Sequence, residues 1–381
     1  MTGPLSGMRV IDASNFVFGP MATQLLADMG AEVIKVEPPQ GDPMRMVGGS
    51  RNPKMGSFFL NLNRGKRSVV LDLKAAGDVA RLDALLATAD VFVHNMRPAA
   101  ARRLGIDYDR LAARHPRLVY AVALGFHQDG RYAERPAYDD VIQGMSGVAG
   151  LHARMYGEPG FVPMLFTDKL CGVYLAGAIA SALVARAASG QGQQVEVPMF
   201  ETMASFNLVE HLADDIFSGP AAAAPAPARG YERVFSRYHR PLKTGEGYVC
   251  LVANTDAQWQ RLFALLGRSE LAADPRFATM GDRIRHAEPL YEAISGSLLE
   301  RGAVEWLALF LEHDIPAGPA NGLDELLNDP HLEDVAFFQT VEHPTEGTLR
   351  CAPTPLRFSA SPRAAAGGAP TLGEHNADIL G

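Results

Sequence analysis

A chain of 381 residues, 47% of them hydrophobic, is long enough to bury a large core and to form two domains or one elaborate one. Its net charge of -8 opposes general nucleic-acid binding, which needs a basic face, and its three cysteines, Cys171, Cys250 and Cys351, are too few and too scattered for a disulfide framework or a zinc site. The first residues lack the basic start and apolar run of a signal peptide, and the one long apolar stretch is broken by Gly and Ser and ends at Arg186; no membrane span is expected, and a reducing cytoplasm fits best.

In chain order, Met8 to Asp12 reads as a strand, Pro20 to Met29 as a helix stopped by Gly30, and Glu32 to Glu37 as a second strand, which together make a βαβ unit. Ser68 to Leu73, Val91 to His94 and Leu118 to Leu124 are further short β-rich runs, with helical patterns over Val79 to Ala87 and Tyr108 to Arg114. This alternation predicts an α/β fold with a mostly parallel sheet covered by helices. From Leu170 to Ala188 the residues are apolar or small, which suits a helix buried on most sides; Gly190 supplies its stop, and Val195 to Val197 a short strand.

At Gly219 to Arg229 an Ala-Pro stretch reads as a linker. Beyond it come a hairpin around Lys243 to Ala253, with Gly245 and Gly247 in the turn, and helices around Gln258 to Leu266, Arg285 to Leu299 and Val304 to His313. The expected layout is a large domain over 1–218, a linker over 219–229, a smaller α+β domain over 230–314, a return linker over 315–321 and a return to the large domain over 322–381. A further helix and a β-rich run near Gly347 to Ala352 belong to that last part.

Three features bear on chemistry. Thr167 and Asp168 open the long helix, where a negative charge is stabilised by about 0.3–1 kcal/mol when exposed; a cap and a catalytic carboxylate both fit. From Arg51 to Lys74 there are six basic residues, Arg51, Lys54, Arg64, Lys66, Arg67 and Lys74, against one acidic residue, Asp72, and Arg97, Arg102 and Arg103 follow; this suits a solvated surface or a phosphate site. The first βαβ unit ends in acidic Glu37, as dinucleotide sites do, but its turn reads Ala13-Ser-Asn-Phe-Val-Phe-Gly19 and lacks the glycines that admit a pyrophosphate. There is no Gly-x-Ser-x-Gly elbow, no His-Glu-x-x-His and no Walker lysine loop. His94 and His127 follow strands and suit either a base or a hydrogen-bonded structural role.

Leu5-Ser-Gly-Met-Arg-Val-Ile-Asp12 with Gly19-Pro20, then Asp28-Met-Gly-Ala-Glu-Val-Ile-Lys-Val-Glu37, resembles the start of class III CoA-transferases of the CaiB/BaiF type, which include the formyl-CoA transferases. The resemblance runs on through Asn63-Arg-Gly-Lys-Arg-Ser68, Leu71-Asp-Leu-Lys74, Asn95-Met-Arg-Pro98, Arg103-Leu-Gly105, Tyr138-Asp139, Gln143, Ser146-Gly147 and the block from Asp168 to Glu201, to Asp329-Pro330 and Leu372-Gly-Glu-His-Asn376. Their order and spacing together carry it.

The resemblance implies a Rossmann-like large domain built from both ends of the chain, a smaller α+β domain, and a ring-shaped subunit interlocked with a second copy as a homodimer. It implies transfer of CoA from an acyl-CoA to a free carboxylic acid, with coenzyme A entering as substrate and no permanently bound cofactor or metal. Asp168 matches the catalytic aspartate, which passes through acyl-aspartyl anhydride and aspartyl-CoA thioester forms. With an ordinary aspartate pKa of about 3.9 it would be ionised at neutral pH. Leu71, Lys74, Asn95, Met96, Arg97 and Arg103 fall at or beside positions lining the CoA, Phe16 and Val17 on the loop facing the thioester, and Tyr138 and Asp139 at the site as well. Formyl-CoA transferases have glutamine at the position of Val17, arginine at Pro38, lysine at Pro136 and a glycine-run loop in the smaller domain, so formyl-CoA and oxalate are expected to be poor substrates.

The closest rival is a 2-methylacyl-CoA racemase. It needs two proton-carrying groups, one of them a His in a Gly-His-Asp motif, and this chain reads Ala137-Tyr138-Asp139. A non-catalytic acyl-CoA binder and a dehydrogenase are remoter readings.

Overall fold

A computed structural model of the chain describes residues 3–217, 230–362 and 367–381. The Ala-Pro stretch read as the first linker lies outside the described residues but for its last neighbour, Gly230.

Six strands, β1 (Arg9–Ala13), β2 (Glu32–Glu37), β3 (Arg67–Val70), β4 (Val91–His94), β5 (Val119–Leu124) and β6 (Gln194–Pro198), form one sheet in the order β3-β2-β1-β4-β5-β6. Every neighbouring pair is parallel. The sheet is therefore doubly wound, with its reversal between β1 and β4, and in such sheets ligands bind outside the carboxyl ends of the strands at that reversal. The central strands β4 and β5 are buried at every residue, as continuous apolar runs covered on both faces must be.

The helices that follow the chain through this region are α1 (Phe18–Asp28), α2 (Ser57–Leu62), α3 (Ala76–Leu86), α4 (Pro98–Leu104), α5 (Tyr108–Arg114), α6 (Asp139–Met145), α7 (Val148–Tyr156), α8 (Phe166–Ser189) and α9 (Met199–His211). On one face of the sheet, Leu26 of α1 and Cys171, Leu175 and Ile179 of α8 share a core with Val10, Val93 and Ala121. On the other, Leu82 and Leu86 of α3 and Leu111 of α5 pack on Ile11, Ile34 and Phe92. α1 and α8 approach closely because Gly172 has no side chain: a Cβ there would stand 2.8 Å from the Met21 side chain and 3.0 Å from the Phe18 carbonyl. α8 is long and apolar enough to cross a membrane, yet its inner face is part of this core.

The remaining elements are β7 (Leu242–Lys243), β8 (Tyr248–Leu251), α10 (Asp256–Leu265), α11 (Met280–Arg285), α12 (Ala287–Leu298), α13 (Ala303–Glu312), β9 (Ala317–Pro319), α14 (Leu323–Leu327), α15 (Pro330–Asp334), the antiparallel pair β10 (Gln339–His343) and β11 (Gly347–Cys351), and α16 (Asn376–Leu380). The chain divides into two compact units: a larger one of residues 1–149, 161–206 and 330–381, and a smaller one of 150–160 and 207–329. The smaller unit has its own core of Trp259, Phe263, Ile294, Trp306 and Phe310.

Two expectations need correction. The smaller unit is not confined to 230–314 but takes in Gly150–Gly160 and runs to Asp329. The segment read as a return linker, 315–321, contains β9, which pairs with β8 as an edge strand, a position that tolerates Pro319. The helix expected over Arg285 to Leu299 is present as α12, with Pro289 accommodated in its first turn, where the missing N–H costs no helix bond.

Candidate active site

At the sheet reversal, the turn after β1 and the turn after β4 are tied together. The Asn15 N–H donates to Asn95 Oδ1 at 3.1 Å, and Asn95 Nδ2 donates back to the Asn15 carbonyl at 2.8 Å. The β1–α1 turn, which has no glycine until Gly19, is held from below by buried charge instead. Lys35 Nζ donates to the Ser14 carbonyl and pairs with Asp42 at 2.9 Å, and Asp42 accepts the Phe16 N–H. Asp12 accepts from Ser14 and Thr23 and pairs with Lys66 at 3.1 Å. Burial opposes the Asp12 anion, but Lys66 and Lys35 outweigh it and hold the carboxyl below the usual range. This scaffold sets Phe16 at φ 67°, a left-handed conformation that a bulky side chain rarely adopts.

A cavity of about 200 Å³ opens there, with Asn15, Phe16, Asn95, Met96, Arg97, Gln128, Arg135, Tyr138, Asp168 and Met199 among its lining. Phe16 and Tyr138 meet edge to face at 5.8 Å on its wall. Arg97 and Arg135 have no carboxylate partner among the described residues, and Arg135 lies over the Tyr132 ring.

Asp168 is the third residue of α8, in its first turn and not its cap. The N-cap position is Leu165, which gives no side-chain hydrogen bond. The Asp168 N–H instead donates to Asp139 Oδ1 at 2.9 Å. Burial, and then the Asp139 charge, push the Asp168 carboxyl up to about 7. This departs from the ordinary value expected from sequence, because the carboxyl is largely buried beside a second carboxylate. Cys171, one turn on, is no rival nucleophile, since burial together with Asp168 and Asp139 pushes its thiol up to about 12.

The expected site residues divide. Phe16, Asn95, Met96, Arg97, Tyr138 and Asp168 line the cavity together. Val17 and Leu71 do not: both are buried, Leu71 in the core beneath the sheet. A side chain so placed cannot touch a ligand, although the backbone beside it still could. Lys74 and Arg103 are exposed and outside the cavity lining. Asp139 is buried with both oxygens occupied, one by the Asp168 N–H and the other by Gln143 at 2.6 Å, so its role as a ligand contact is not what its position offers.

The basic cluster also divides. Lys66 is fully buried with Asp12, Thr23 and Asn63, and Arg64 pairs with Asp28, while Arg67 pairs with Glu32. These are structural pairs and not a phosphate site. Glu37, the candidate ribose ligand of a dinucleotide site, is held in a two-pronged pair by buried Arg45. His94 is buried, accepts the Met96 N–H on Nδ1 and faces Tyr120 Oη through Nε2 at 2.6 Å; Tyr120 donates to the Ile106 carbonyl, so Nε2 carries the proton. Burial pushes this imidazole down to about 4, which makes it structural. His127 is exposed and outside the cavity lining. Gln128, Arg135 and Met199 were not legible as site residues. Gln143 was visible only as part of a motif, although its i, i+4 spacing from Asp139 on one helix face was a usable signal.

Comparison with known proteins shows what the chain is similar to. The family model described as CoA-transferase family III matches residues 5–376. A succinate–glutarate CoA-transferase from Agrobacterium fabrum is 32% identical over 384 residues, covering 99% of this chain and 95% of that protein. An acetyl-CoA:oxalate CoA-transferase from Acetobacter aceti is 35% identical, over 86% of this chain and 83% of its own length. The crystal structure of a CAIB/BAIF family protein from Brucella suis superposes with a TM-score of 0.81 at 30% identity, covering 100% of this chain and 99% of that one.

Proposed function

The chain belongs to CoA-transferase family III, and on that premise we propose that it moves CoA from an acyl-CoA thioester to a free carboxylic acid with the Asp168 carboxylate as covalent carrier. The observation that carries this reading is the position of Asp168. It is partly exposed on the cavity wall at the sheet reversal, in the first turn of α8, where the helix end favours the anion that burial disfavours.

In this reading Asp168 attacks the thioester carbonyl, the C–S bond breaks, and CoA leaves as the thiolate from a mixed acyl-aspartyl anhydride. The thiolate attacks the aspartyl carbonyl and releases the donor acid, leaving an aspartyl-CoA thioester. The acceptor carboxylate attacks that thioester and expels the thiolate, which then attacks the acceptor carbonyl and frees Asp168. Each step exchanges one acyl bond for another of similar energy, so no net proton or electron is needed. Arg97 and Arg135 have no carboxylate partner among the described residues; on the same cavity, Arg97 suits the CoA phosphates and Arg135 a second carboxylate on the acyl group. Small dicarboxylic acids are therefore the favoured acceptors. Buried, apolar Val17 offers no polar helper for a formyl group.

No histidine is among the residues lining the cavity, and Tyr138, 61% exposed, stands where a racemase needs its imidazole. A phenol is a poorer proton acceptor than an imidazole, which favours transfer over α-proton exchange. Incubation with a panel of CoA esters and free acids tests this. CoA exchange that vanishes in Asp168→Ala is expected, and α-proton exchange without an acceptor would overturn it.

The outward face of α8 carries Val173, Tyr174 and Val184, exposed at 51%, 47% and 73%. An apolar stripe of this kind supports a second copy as its cover, and the interlocked, ring-shaped homodimer is the assembly we propose. A stable, active monomer in light scattering would overturn that. The free cysteines suit a reducing cytoplasm.

A further inference from the structure

α8 begins without a cap of its own, and the Asp168 N–H is among the first donors of a helix, which have no partner within it. Its acceptor comes from another helix. Asp139, 4% exposed at the start of α6, takes the Asp168 N–H on Oδ1 at 2.9 Å and Gln143 Nε2 on Oδ2 at 2.6 Å. Gln143 is fully buried one turn along the same helix. Its Oε1 accepts the Val162 N–H at 2.9 Å, and its Nε2 also reaches the Met164 carbonyl at 3.3 Å. One carboxylate and one amide thus hold the segment that leads into α8 and the third residue of the helix itself.

We propose that Asp139, fixed by Gln143, is the positioning residue for Asp168: it supplies from α6 the cap that α8 lacks and sets a second negative charge beside the carboxylate. This rests on the reading of Asp168 as nucleophile. A simpler cap, such as a serine at the N-cap position, would hold the helix without the charge. The charge has a chemical use: it opposes full ionisation of Asp168 in the empty site and raises the basicity of its anion as a nucleophile. The other charged or titratable groups facing Asp168 are Arg97 ahead of α4, Arg135 and Tyr138 ahead of α6, and Cys171 on α8 itself; α1 and α9 contribute only Phe18 and Met199 to the cavity wall.

The test compares pH profiles of CoA transfer for wild type, Asp139→Asn and Asp139→Ala, with circular dichroism as the check on folding. In Asp139→Asn the amide oxygen still accepts the Asp168 N–H while the charge is gone. Its acidic limb is expected to move down by about one pH unit. In Asp139→Ala the acceptor is lost too, and kcat is expected to fall roughly tenfold or more with KM for the CoA ester little changed. An unmoved limb in folded Asp139→Asn, or a raised KM at unchanged kcat in Asp139→Ala, would overturn the proposal. A wild-type limb below pH 5 would also overturn it, since no second charge would then be opposing ionisation of Asp168. Trapping of the CoA adduct on Asp168 in the wild type reports separately on the nucleophile, so failure of that reading and failure of this one are distinguishable.

Discussion

Asn15 and Asn95 bind each other reciprocally, backbone N–H to side-chain oxygen at 3.1 Å and side-chain nitrogen to backbone carbonyl at 2.8 Å, across the reversal of the sheet. The pair joins two turns that are 80 residues apart in sequence and form one side of the Asp168 cavity. Asn95→Ala leaves the Asn15 N–H and carbonyl without their partners, at an expected cost of about 1–3 kcal/mol. We expect thermal unfolding to record that loss and kcat/KM to fall about tenfold or more as the turn loosens.

Lys66 is fully engaged beneath the site, with Asp12, Thr23, Asn63 and the Pro20 carbonyl around its ammonium. Burial pushes it down to about 8 against the pull of Asp12. Lys66→Met would strand the buried Asp12 carboxylate, and removing one partner of a buried pair costs about 3–5 kcal/mol. Denaturant unfolding should show a loss in that range. An Asp12→Asn, Lys66→Met double variant should recover part of it, because no unpaired charge is then left inside.

The raised Asp168 carboxyl links stability to pH. Its folded value, about 7, lies above the unfolded value near 3.8, so the folded protein holds the proton more tightly between these limits. Stability from this group is therefore present below pH 3.8 and is lost as pH rises toward and through 7. Asp168→Asn, which cannot ionise, should melt about 2–5 °C above wild type at pH 8, and the difference should shrink to nothing near pH 4. Differential scanning calorimetry at the two pH values checks the sign.

Phe16 and Phe18 are two residues apart and of the same type, yet substitution should affect them in opposite ways. Phe16 sits at φ 67°, exposed on the cavity wall, whereas Phe18, although it borders the same cavity, is buried in the core shared by α1 and α8. Phe16→Gly relieves a left-handed bulky residue, so stability should stay within about 1 kcal/mol of wild type while KM for the CoA ester rises. Phe18→Ala should cost about 3–5 kcal/mol. Parallel unfolding curves and steady-state kinetics on the two variants check the contrast.

Local pattern reached far into this fold. β2 and β4 have the limits their sequences suggest, since buried β-branched and aromatic runs leave little freedom, and Asp168 stood out by its place at the head of an apolar helix. What local pattern missed lies in long-range pairing. Lys66 looked like a surface cation because its partner Asp12 is 54 residues away, and Asp139 looked like a ligand contact because Asp168 is 29 residues away. Leu71 lay in a motif shared with a ligand-lining position, yet its strand end turns the side chain into the core. Motif spacing marks a backbone position and does not say which way the side chain points.

The covalent role of Asp168 is the claim from which the transfer chemistry follows. Acyl-CoA mixed with enzyme in the absence of acceptor, quenched in acid and digested, should yield one peptide bearing CoA through a thioester at Asp168, absent from Asp168→Ala. A digest of transferring enzyme in which the CoA thioester maps to another residue, or a variant Asp168→Ala that still transfers CoA, would contradict the account.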